Sequence, residues 1–224
     1  RIALKYMMPV ILLTDGYIAN GSEPWKIPNL NSLIDIKTTM TTNKEGYAPF
    51  NHDPITLARP WALPGTPGME HRVGGLEKWD VTGNVSYDPE NHHKMVELRQ
   101  LKVDIISNDI PHAKPYGTPQ GKLLVIGWGG THGAIRSAVE SAQGEGHEVA
   151  HLHLRYLNPL PKNLGELLLK YQKVLIPELN LGQLSMIIRA KFLIDAISLS
   201  KVQGKPFNKN DILNKINILI KEIN

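Results

Sequence analysis

A short run of ionisable residues, Glu70-His71-Arg72, lies in the glycine-flanked segment PGMEHRVGG. A histidine titrates near neutral pH, so beside a carboxylate it can accept and release protons. With Arg72 it can also bind an anion, since both side chains donate hydrogen bonds when charged. The alternative is an ordinary surface ion pair, which contributes little. The segment therefore predicts either a polar site that positions a ligand or a solvated loop.

A glycine-rich turn, GWGGTHG at 127–133, lies between a predicted strand and a predicted helix. Backbone N–H groups at a helix N-terminus can hold an anion such as a phosphate. We exclude a nicotinamide site, because the GxGxxG spacing fails at His132 and the next strand ends in histidines and arginine. A tight turn that packs the helix on the sheet is the alternative. The candidate residues of this turn are Gly127, Gly129, Gly130 and Thr131.

Polar side chains also follow the third predicted strand, at Glu178, Asn180 and Gln183 in the segment ELNLGQ. Open α/β sheets bind ligands or partners at this carboxyl edge. The same residue types are ordinary helix caps. Both interpretations stay open from the sequence.

We consider two histidine pairs as possible metal ligands. His151 and His153 alternate along a predicted strand and so share a face, whereas His92 and His93 diverge on a predicted helix. Neither pair has a third ligand nearby in sequence. We therefore interpret them as structural or surface histidines and predict no metal site. The chain also has no serine elbow, Walker loop or HExxH motif.

The composition of the 224 residues excludes several classes of site. The chain has no cysteine, so it cannot ligate an iron–sulfur cluster of the usual four-cysteine kind. The net charge is +4, without a compact basic block, which favours a solvated surface over a nucleic-acid interface. No apolar stretch approaches the about 20 residues of a membrane span. We therefore expect neither nucleic acid nor membrane as a partner.

The chain divides into segments of different character. Residues 1–8 fit the end of a helix, and the apolar run Pro9–Thr14 predicts a strand covered on both faces. Residues 23–120 are rich in proline and weakly periodic, yet contain many large apolar side chains. This composition favours an ordered, irregular segment over a disordered linker. Asp88 and Pro89 predict the start of one helix there, which we expect to end near Lys102.

From Gly121 onward, strands alternate with helices. This order predicts an α/β domain with a parallel sheet and right-handed crossovers. The predicted strands are 123–126, 148–154, 174–177 and a short one at 198–202. The predicted helices are 134–144, 164–171, 184–196 and 212–223.

Four long segments resemble one protein family, in the same order. They are TDGYIANGSEPWKIP, RPWALPGTPGMEHRVGGLEK, SYDPENHHKMVELRQLKV and VLIPELNLGQLSMIIRAKFLIDAISLSKVQGKPF. The chain resembles the C-terminal part of the alpha subunit of 2-oxoacid:ferredoxin oxidoreductases, of the 2-oxoglutarate type. The resemblance covers nearly all 224 residues.

The resemblance implies an enzyme that decarboxylates a 2-oxoacid on thiamine diphosphate. The acyl group passes to coenzyme A, and electrons leave through iron–sulfur clusters to ferredoxin. A separate beta subunit is expected to share the thiamine diphosphate and to hold its magnesium and the cluster. This chain alone is then expected to bind none of these cofactors and to be inactive. Pyruvate or a branched-chain 2-oxoacid is the alternative substrate, and the expected location is cytoplasmic.

The resemblance also implies a domain organisation. Residues 1–30 resemble the end of a truncated pyrimidine-binding-type domain, 31–120 a connector with one helix, and 121–224 a three-layer transketolase C-terminal-like domain. The family's cofactor-facing glutamate and its substrate-binding threonine and arginine are expected before Arg1. The catalytic residues are therefore unknown from this sequence. We also expect residues 1–30 to expose apolar surface where their sheet is missing.

Two roles follow for the candidate residues. Those proximal to substrate or coenzyme A are Asn20, Glu23, Glu70, His71, Arg72 and the turn at 127–133, which would position ligands electrostatically. In the second hypothesis, from another class, the chain is a non-catalytic assembly module. Its candidate subunit-interface residues are Asn180, Gln183 and Arg189.

Overall fold

The computed structural model describes residues 1–36 and 38–223. Two compact units are present, and each is described by itself. The first comprises Arg1–Leu12 and Trp25–Asp109, and the second Leu13–Pro24 and Ile110–Asn224. The predicted ranges 31–120 and 121–224 include Lys37 and Asn224, which lie outside the described residues.

Seven helices and four strands are formed by the described residues. The helices are α1 (Ile2–Tyr6), α2 (Gly16–Ala19), α3 (Pro89–Ile105), α4 (His132–Gly144), α5 (Leu164–Leu168), α6 (Gln183–Phe192) and α7 (Lys209–Ile223). The strands are β1 (Gly121–Trp128), β2 (Val149–Leu154), β3 (Tyr171–Glu178) and β4 (Ala196–Ser200). Single 3₁₀ turns occupy Leu30–Ser32, Ile106–Asn108 and Gly129–Thr131.

The second unit is built on a four-stranded parallel sheet in the order β2-β1-β3-β4. In the register of the central strands, Leu124 of β1 lies beside Ala150 of β2 and Val174 of β3. β1 is a continuous apolar run because both of its faces are covered. The predicted parallel α/β class is therefore confirmed.

Helices cover both faces of this sheet and form two cores. On one face, Leu124 and Ile126 pack with Leu164 of α5 and Ile188 of α6. On the other face, the alternate β1 residues Leu123 and Val125 pack with apolar side chains of α4 and α7. The three layers bring the carboxyl ends of β1 and β3, with the turns that follow them, to one edge of the sheet.

The first unit is ordered although most of it is irregular. Its helix α3 begins at Pro89 as predicted, and the Asp88 side chain accepts a hydrogen bond from the Asn91 amide at 2.7 Å. Phe50, Met69 and the α3 residue Met95 are buried apolar side chains of this unit. The Trp61 indole donates to the Leu4 carbonyl at 3.1 Å. These contacts favour an ordered segment over a disordered linker for these residues.

The strand predicted at Pro9–Thr14 is wrong for this chain, since the segment forms no strand. Its apolar side chains are exposed instead: Val10 by 55%, Ile11 by 82%, Leu12 by 85% and Leu13 by 60%. A strand needs a neighbour for its backbone hydrogen bonds, and no other strand pairs with this run. The expected exposure of apolar surface in residues 1–30 is observed at these positions.

Several predicted boundaries also shift. The helix predicted at 184–196 ends at Phe192, because Leu193 adopts a left-handed conformation (φ 54°) and the chain turns into β4. α5 is three residues shorter than predicted and α3 extends to Ile105. Within residues 1–36 and 38–223, no helix has the length and hydropathy needed to cross a membrane.

Candidate functional site

A polar cavity of about 350 Å³ lies in the first unit and contains the predicted Glu70-His71-Arg72 run. Isolated bridges from Phe50 to Val81 and from Lys78 to Val85 hold the loop that forms its opposite wall. Gly83 in that loop has φ 72°, and a Cβ there would lie 2.7 Å from the Phe50 ring. The lining residues are Tyr47, Pro49, Gly68, Met69, Glu70, His71, Arg72, Thr82, Gly83, Asn84 and Val85.

The hydrogen-bond contacts of His71 define which of its ring nitrogens carries the proton. Its Nδ1 lies 2.8 Å from the Met69 carbonyl oxygen, which can only accept, so Nδ1 carries the proton. The Tyr47 hydroxyl lies 3.1 Å from the same nitrogen. In the neutral ring, Nε2 is then a hydrogen-bond acceptor. His71 is therefore arranged to receive a donor group, or a proton, from a ligand in the cavity.

Two opposite charges flank this imidazole. Backbone N–H groups of Glu70 itself and of Gly68 lower the pKa of the Glu70 carboxyl, so it is ionised at neutral pH. Arg72 follows His71 on the same wall and is exposed. The cavity thus offers an acceptor nitrogen, a carboxylate and a guanidinium, which can orient a polar ligand carrying both donors and an acidic group.

The glycine-rich turn is closely packed in the second unit. A Cβ on Gly127 would lie 2.3 Å from the Ile135 side chain, so glycine here lets α4 approach β1. The Thr131 hydroxyl donates to the Trp128 carbonyl at 2.8 Å and accepts from the Trp128 amide at 3.2 Å. The Asp15 carboxylate lies against Gly130, where an added Cβ would be 2.0 Å from Oδ2. These contacts favour the packing alternative, because a carboxylate already faces the turn.

Glu178 is the most buried ionisable residue at the carboxyl edge of the sheet, with 0% exposure. Its carboxylate accepts from the backbone N–H groups of Leu184 at 2.9 Å and Ser185 at 3.0 Å, in the first turn of α6. It also accepts from Asn180 Nδ2 at 3.1 Å and from the Trp128 indole at 3.4 Å. Glu178 therefore caps α6 and ties it to the end of β1.

The predicted interface residues have structural contacts of their own. The Asn180 side-chain oxygen accepts from the Gly182 and Gln183 amides at 2.7 and 3.2 Å, which shapes the turn into α6. Arg189 donates to Asp195 at 2.6 Å and to the Ala196 carbonyl at 2.9 Å, which holds the end of α6 to β4. Gln183 is exposed at the first position of α6. Arg189 also lines an open groove between α6 and β4.

Asn20 and Glu23 belong to the second unit, whereas Glu70-His71-Arg72 belongs to the first. Asn20 Nδ2 donates to the Gly16 carbonyl at 2.6 Å, across the short helix α2. Glu23 is exposed. Neither residue lines the polar cavity.

The strand histidines form a cluster of three, of which the sequence indicated only His151 and His153. His151 and His153 share a face of β2, and His132 of α4 joins them with ring centroids 5.2 and 4.8 Å away. Burial, and then the neighbouring charges, lower the pKa of His151 to about 3 and that of His153 to about 4. Across residues 1–36 and 38–223, no group of three or more His, Cys, Asp or Glu side chains is arranged to hold a metal. Of the histidines singled out in the sequence, His151 and His153 lie in the sheet, and His92 and His93 are exposed on α3.

Sequence reasoning missed three residues at these sites. Tyr47 lies 24 positions from His71, and Asp15 lies far from the turn at 127–133, so spacing could not connect them. His132 had a weak signal in the sequence. It begins α4, which follows β1, and the strand β2 beside β1 carries the other two histidines. Only the parallel pairing of β1 with β2 makes these histidines adjacent.

Comparisons with known proteins agree with this architecture. No protein-family model matches the chain. The chain is 52% identical over 213 residues to the 2-oxoglutarate oxidoreductase subunit KorA of Mycobacterium tuberculosis, a match to 95% of the chain and 32% of that protein. It is 32% identical over 197 residues to the 2-oxoacid:ferredoxin oxidoreductase 1 alpha subunit of Aeropyrum pernix, covering 84% of the chain and 30% of the relative.

A solved structure is also similar. The 2-oxoglutarate:ferredoxin oxidoreductase of Magnetococcus marinus, with 2-oxoglutarate, coenzyme A and succinyl-CoA bound, matches with a TM-score of 0.89 and 30% identity. The match covers 98% of the chain and 38% of that structure's chain. The chain thus spans about a third of the length of the curated relatives it matches. Over that third, and as its sequence segments predicted, the chain is a homologue of the alpha subunits of 2-oxoacid:ferredoxin oxidoreductases.

Proposed function

We propose that the chain serves in the alpha subunit of a 2-oxoglutarate:ferredoxin oxidoreductase, which oxidatively decarboxylates the 2-oxoacid to its acyl-CoA and passes electrons to ferredoxin. The observation that carries this proposal is the 52% identity over 95% of the chain to a 2-oxoglutarate oxidoreductase subunit. Relatives named for 2-oxoacids in general keep pyruvate and branched-chain 2-oxoacids as alternative substrates.

The proposal assigns the metal-bearing groups to a partner. The chain has no cysteine, so its residues do not fit an iron–sulfur cluster of the usual four-cysteine kind. In the part of the chain that the structure describes, no group of three or more His, Cys, Asp or Glu side chains is arranged to hold a metal ion. We derive no step through either group. A beta subunit that holds the cluster and shares thiamine diphosphate and magnesium is part of the proposal, as is ferredoxin as the acceptor. A cytoplasmic location is part of the proposal as well.

The domain assignment is likewise a proposal. Residues 1–30 would close a pyrimidine-binding-type domain, 31–120 would be the connector, and 121–224 the transketolase C-terminal-like domain. The exposed apolar side chains at 10–13 support the first assignment, because such a run is stable in water only where another surface covers it. The parallel sheet of residues 121–200 supports the last.

For the ligand-proximal site, the geometry supports Glu70, His71 and Arg72 best. Coenzyme A carries amide N–H groups along its pantetheine arm and phosphates at its other end. His71 Nε2 and the Glu70 carboxylate can accept from such amides, and Arg72 can donate to an acidic group. Asn20, Glu23, Gly127, Gly129, Gly130 and Thr131 stay in the proposal as further candidates near substrate or coenzyme.

His71→Gln and Glu70→Gln test this site in the assembled enzyme. We expect each substitution to raise the KM for coenzyme A, or to lower kcat, by roughly tenfold, since a hydrogen bond involving a charged group contributes about 1.5–3 kcal/mol. The measurement is steady-state ferredoxin reduction with coenzyme A varied. His93→Gln is the matched control, because His93 is exposed on α3 in the same unit. Wild-type kinetics in both variants would remove the cavity from the proposed site.

A second candidate function is a subunit-assembly module without a catalytic contribution. Its support is the apolar surface at the start and end of α6, where Leu181 is 83%, Met186 65% and Leu193 90% exposed. Asn180, Gln183 and Arg189 would lie at this interface, beside the groove between α6 and β4.

Met186→Asp separates the two candidates. A charge buried at a protein interface is costly, so we expect the variant to weaken binding to the beta subunit by roughly 10- to 100-fold. Surface plasmon resonance with immobilised beta subunit measures this effect. Leu169→Asp, at a side chain 77% exposed just after α5, is the control. Equal affinity of wild type and Met186→Asp would exclude this surface as the interface.

A further inference from the structure

The strand β4 lies at one edge of the parallel sheet, and its outer side is open. In the order β2-β1-β3-β4, β3 pairs with one side of β4, and no strand of the described chain pairs with the other. The Lys201 amide donates to the Glu178 carbonyl of β3 at 3.0 Å. Because the backbone groups of successive residues alternate in direction along a strand, the N–H and C=O groups of Ser198 and Ser200 face the open side.

This open edge has none of the features that usually protect one. Edge strands of soluble proteins are commonly blunted by lysine, proline or a bulge, since unpaired N–H and C=O groups attract another strand. β4 has the sequence Ala-Ile-Ser-Leu-Ser, without charge or proline, and it keeps its register with β3 over all five residues. Ser198 and Ser200 are exposed, and Ile197 and Leu199 are half-buried. The composition is therefore that of an edge which a further strand covers.

The sequence of β4 is complementary to itself in an antiparallel pair centred on Ser198. In that register Ile197 lies opposite Leu199 of a second copy, and both side chains pack on the core between the sheet and α7. Ala196 lies opposite Ser200. Residues directly opposite each other exchange both backbone hydrogen bonds at every second position, and here these are the positions that face the open side. A shift by one residue would place serines opposite the apolar side chains.

The charges at the ends of β4 fit the same register. Asp195 precedes the strand and lies opposite Lys201, which follows it, at both ends of a two-fold pair. The Asp195 side chain is 84% exposed and contacts Arg189 at 2.6 Å. The Lys201 ammonium donates to Asp211 at 2.7 Å and to the Pro206 carbonyl at 3.1 Å, and it has a third N–H donor. Opposite charges thus face each other, where like charges would oppose the pairing.

Further apolar side chains meet just outside the charged residues. Val202, which is 62% exposed, lies opposite Ile194 of the second copy, and Leu193, one position further along, is 90% exposed. A pair of five-residue strands is nevertheless small beside the about 1,600 Å² that a standard stable interface buries in total. We therefore expect a weak dimer that forms at micromolar concentrations or above.

We propose that the chain pairs with a second copy of itself through the open edge of β4, which joins two four-stranded sheets into one sheet of eight strands. The pair is antiparallel, and Ser198 of each copy lies on the two-fold axis. The occupant is a second copy, because the backbone groups, the apolar pairs and the end charges all match within one sequence. The inference does not depend on the activity proposed above, since it concerns only the edge strand of this chain.

Sedimentation equilibrium of the full chain over roughly 5 to 500 µM tests the self-association. We expect a dimer that forms with rising concentration. Ser198→Lys places two like charges face to face on the two-fold axis, so it should weaken the dimer by roughly tenfold or more. Ser137→Lys adds the same charge at an exposed position of α4 and should leave the dimer unchanged.

Cysteine cross-linking tests the register. The chain has no cysteine, so Ser198→Cys introduces a single thiol. Opposite residues of a hydrogen-bonded pair have Cα atoms about 5.5 Å apart, within the range that a disulfide spans, so mild oxidation should link two chains. Ser200→Cys is the matched control on the same strand. Its two thiols would be displaced by four residues, or about 13 Å along the strands, and should not link.

Three results would overturn the proposal. They are a chain that stays monomeric at the highest concentration, a dimer that Ser198→Lys does not weaken, and equal cross-linking of Ser198→Cys and Ser200→Cys. A monomer that binds the beta subunit, and loses that affinity in Ser198→Lys, would assign the edge to the beta subunit instead. If Ser198→Lys proves unfolded by circular dichroism, the cross-linking of the two cysteine variants decides.

Discussion

Glu178→Ala is expected to destabilise the chain by about 3 kcal/mol, because it removes a buried helix cap and leaves its donors unpaired. The carboxylate is 0% exposed and accepts from the Leu184 and Ser185 amides at the start of α6. Urea unfolding followed by circular dichroism measures the loss in free energy.

Glu178→Gln separates the stabilisation that comes from the carboxylate charge from that of the side chain's shape. Glutamine keeps one accepting oxygen, but its amide group would face another N–H donor, so we expect an intermediate loss, roughly 1–2 kcal/mol smaller than for alanine. Glu145→Ala is the control, because Glu145 is half exposed and its pairing with His147 is long, at 3.8 Å. A midpoint for Glu178→Ala equal to that of the control would show that the cap does not stabilise α6.

The histidine cluster is expected to make the fold sensitive to acid. Burial, and then the charges of His132, His153 and Arg136, lower the pKa of His151 to about 3, whereas an unfolded histidine titrates near about 6.5. The unfolded chain therefore binds more protons between these values, so stability is complete above about pH 6.5 and falls as the pH falls. His151 alone should cost about 2 kcal/mol by about pH 5. His153, with its pKa lowered to about 4, acts with the same sign.

His151→Gln should remove about half of this pH dependence, because glutamine does not titrate whereas His153 still does. The measurement compares urea midpoints of wild type and variant at two pH values, one above 6.5 and one near 5. His93→Gln is the control, since His93 is 77% exposed and should leave the wild-type slope unchanged. An unaltered slope in His151→Gln would place the acid sensitivity elsewhere.

Much of the second unit could be predicted from periodicity. The apolar runs of β1 and β3 and the apolar stripe of α4 are local patterns that follow directly from which faces are buried. Boundaries were less predictable, as at Leu193, whose left-handed backbone ends α6 within a continuous apolar pattern. The run Pro9–Thr14 has the pattern of a buried strand, yet no neighbouring strand covers it. An apolar pattern shows which side chains a segment can bury, but the segment forms a strand only where a neighbouring strand pairs with its backbone.

The candidate site was predictable in part. The run Glu70-His71-Arg72 was visible as residue types, and it does line a cavity. Its hydrogen-bonding state depends on the Met69 carbonyl and on Tyr47, which the sequence does not bring together. The turn at 127–133 looked like an anion site because its glycines expose amides. In the structure, the Asp15 carboxylate lies against Gly130 and the Ile135 side chain against Gly127. Local sequence patterns do not reveal these contacts.

The sequence by itself determined the parallel α/β class, the family resemblance and the residue types available for chemistry, because these depend on local pattern and on order along the chain. Tertiary structure alone decided which charges meet. It buried Glu178 under the first turn of α6 and joined His132 to His151 and His153. Such pairings join residues distant in sequence, and the strength of their interactions depends on burial, which no local pattern encodes.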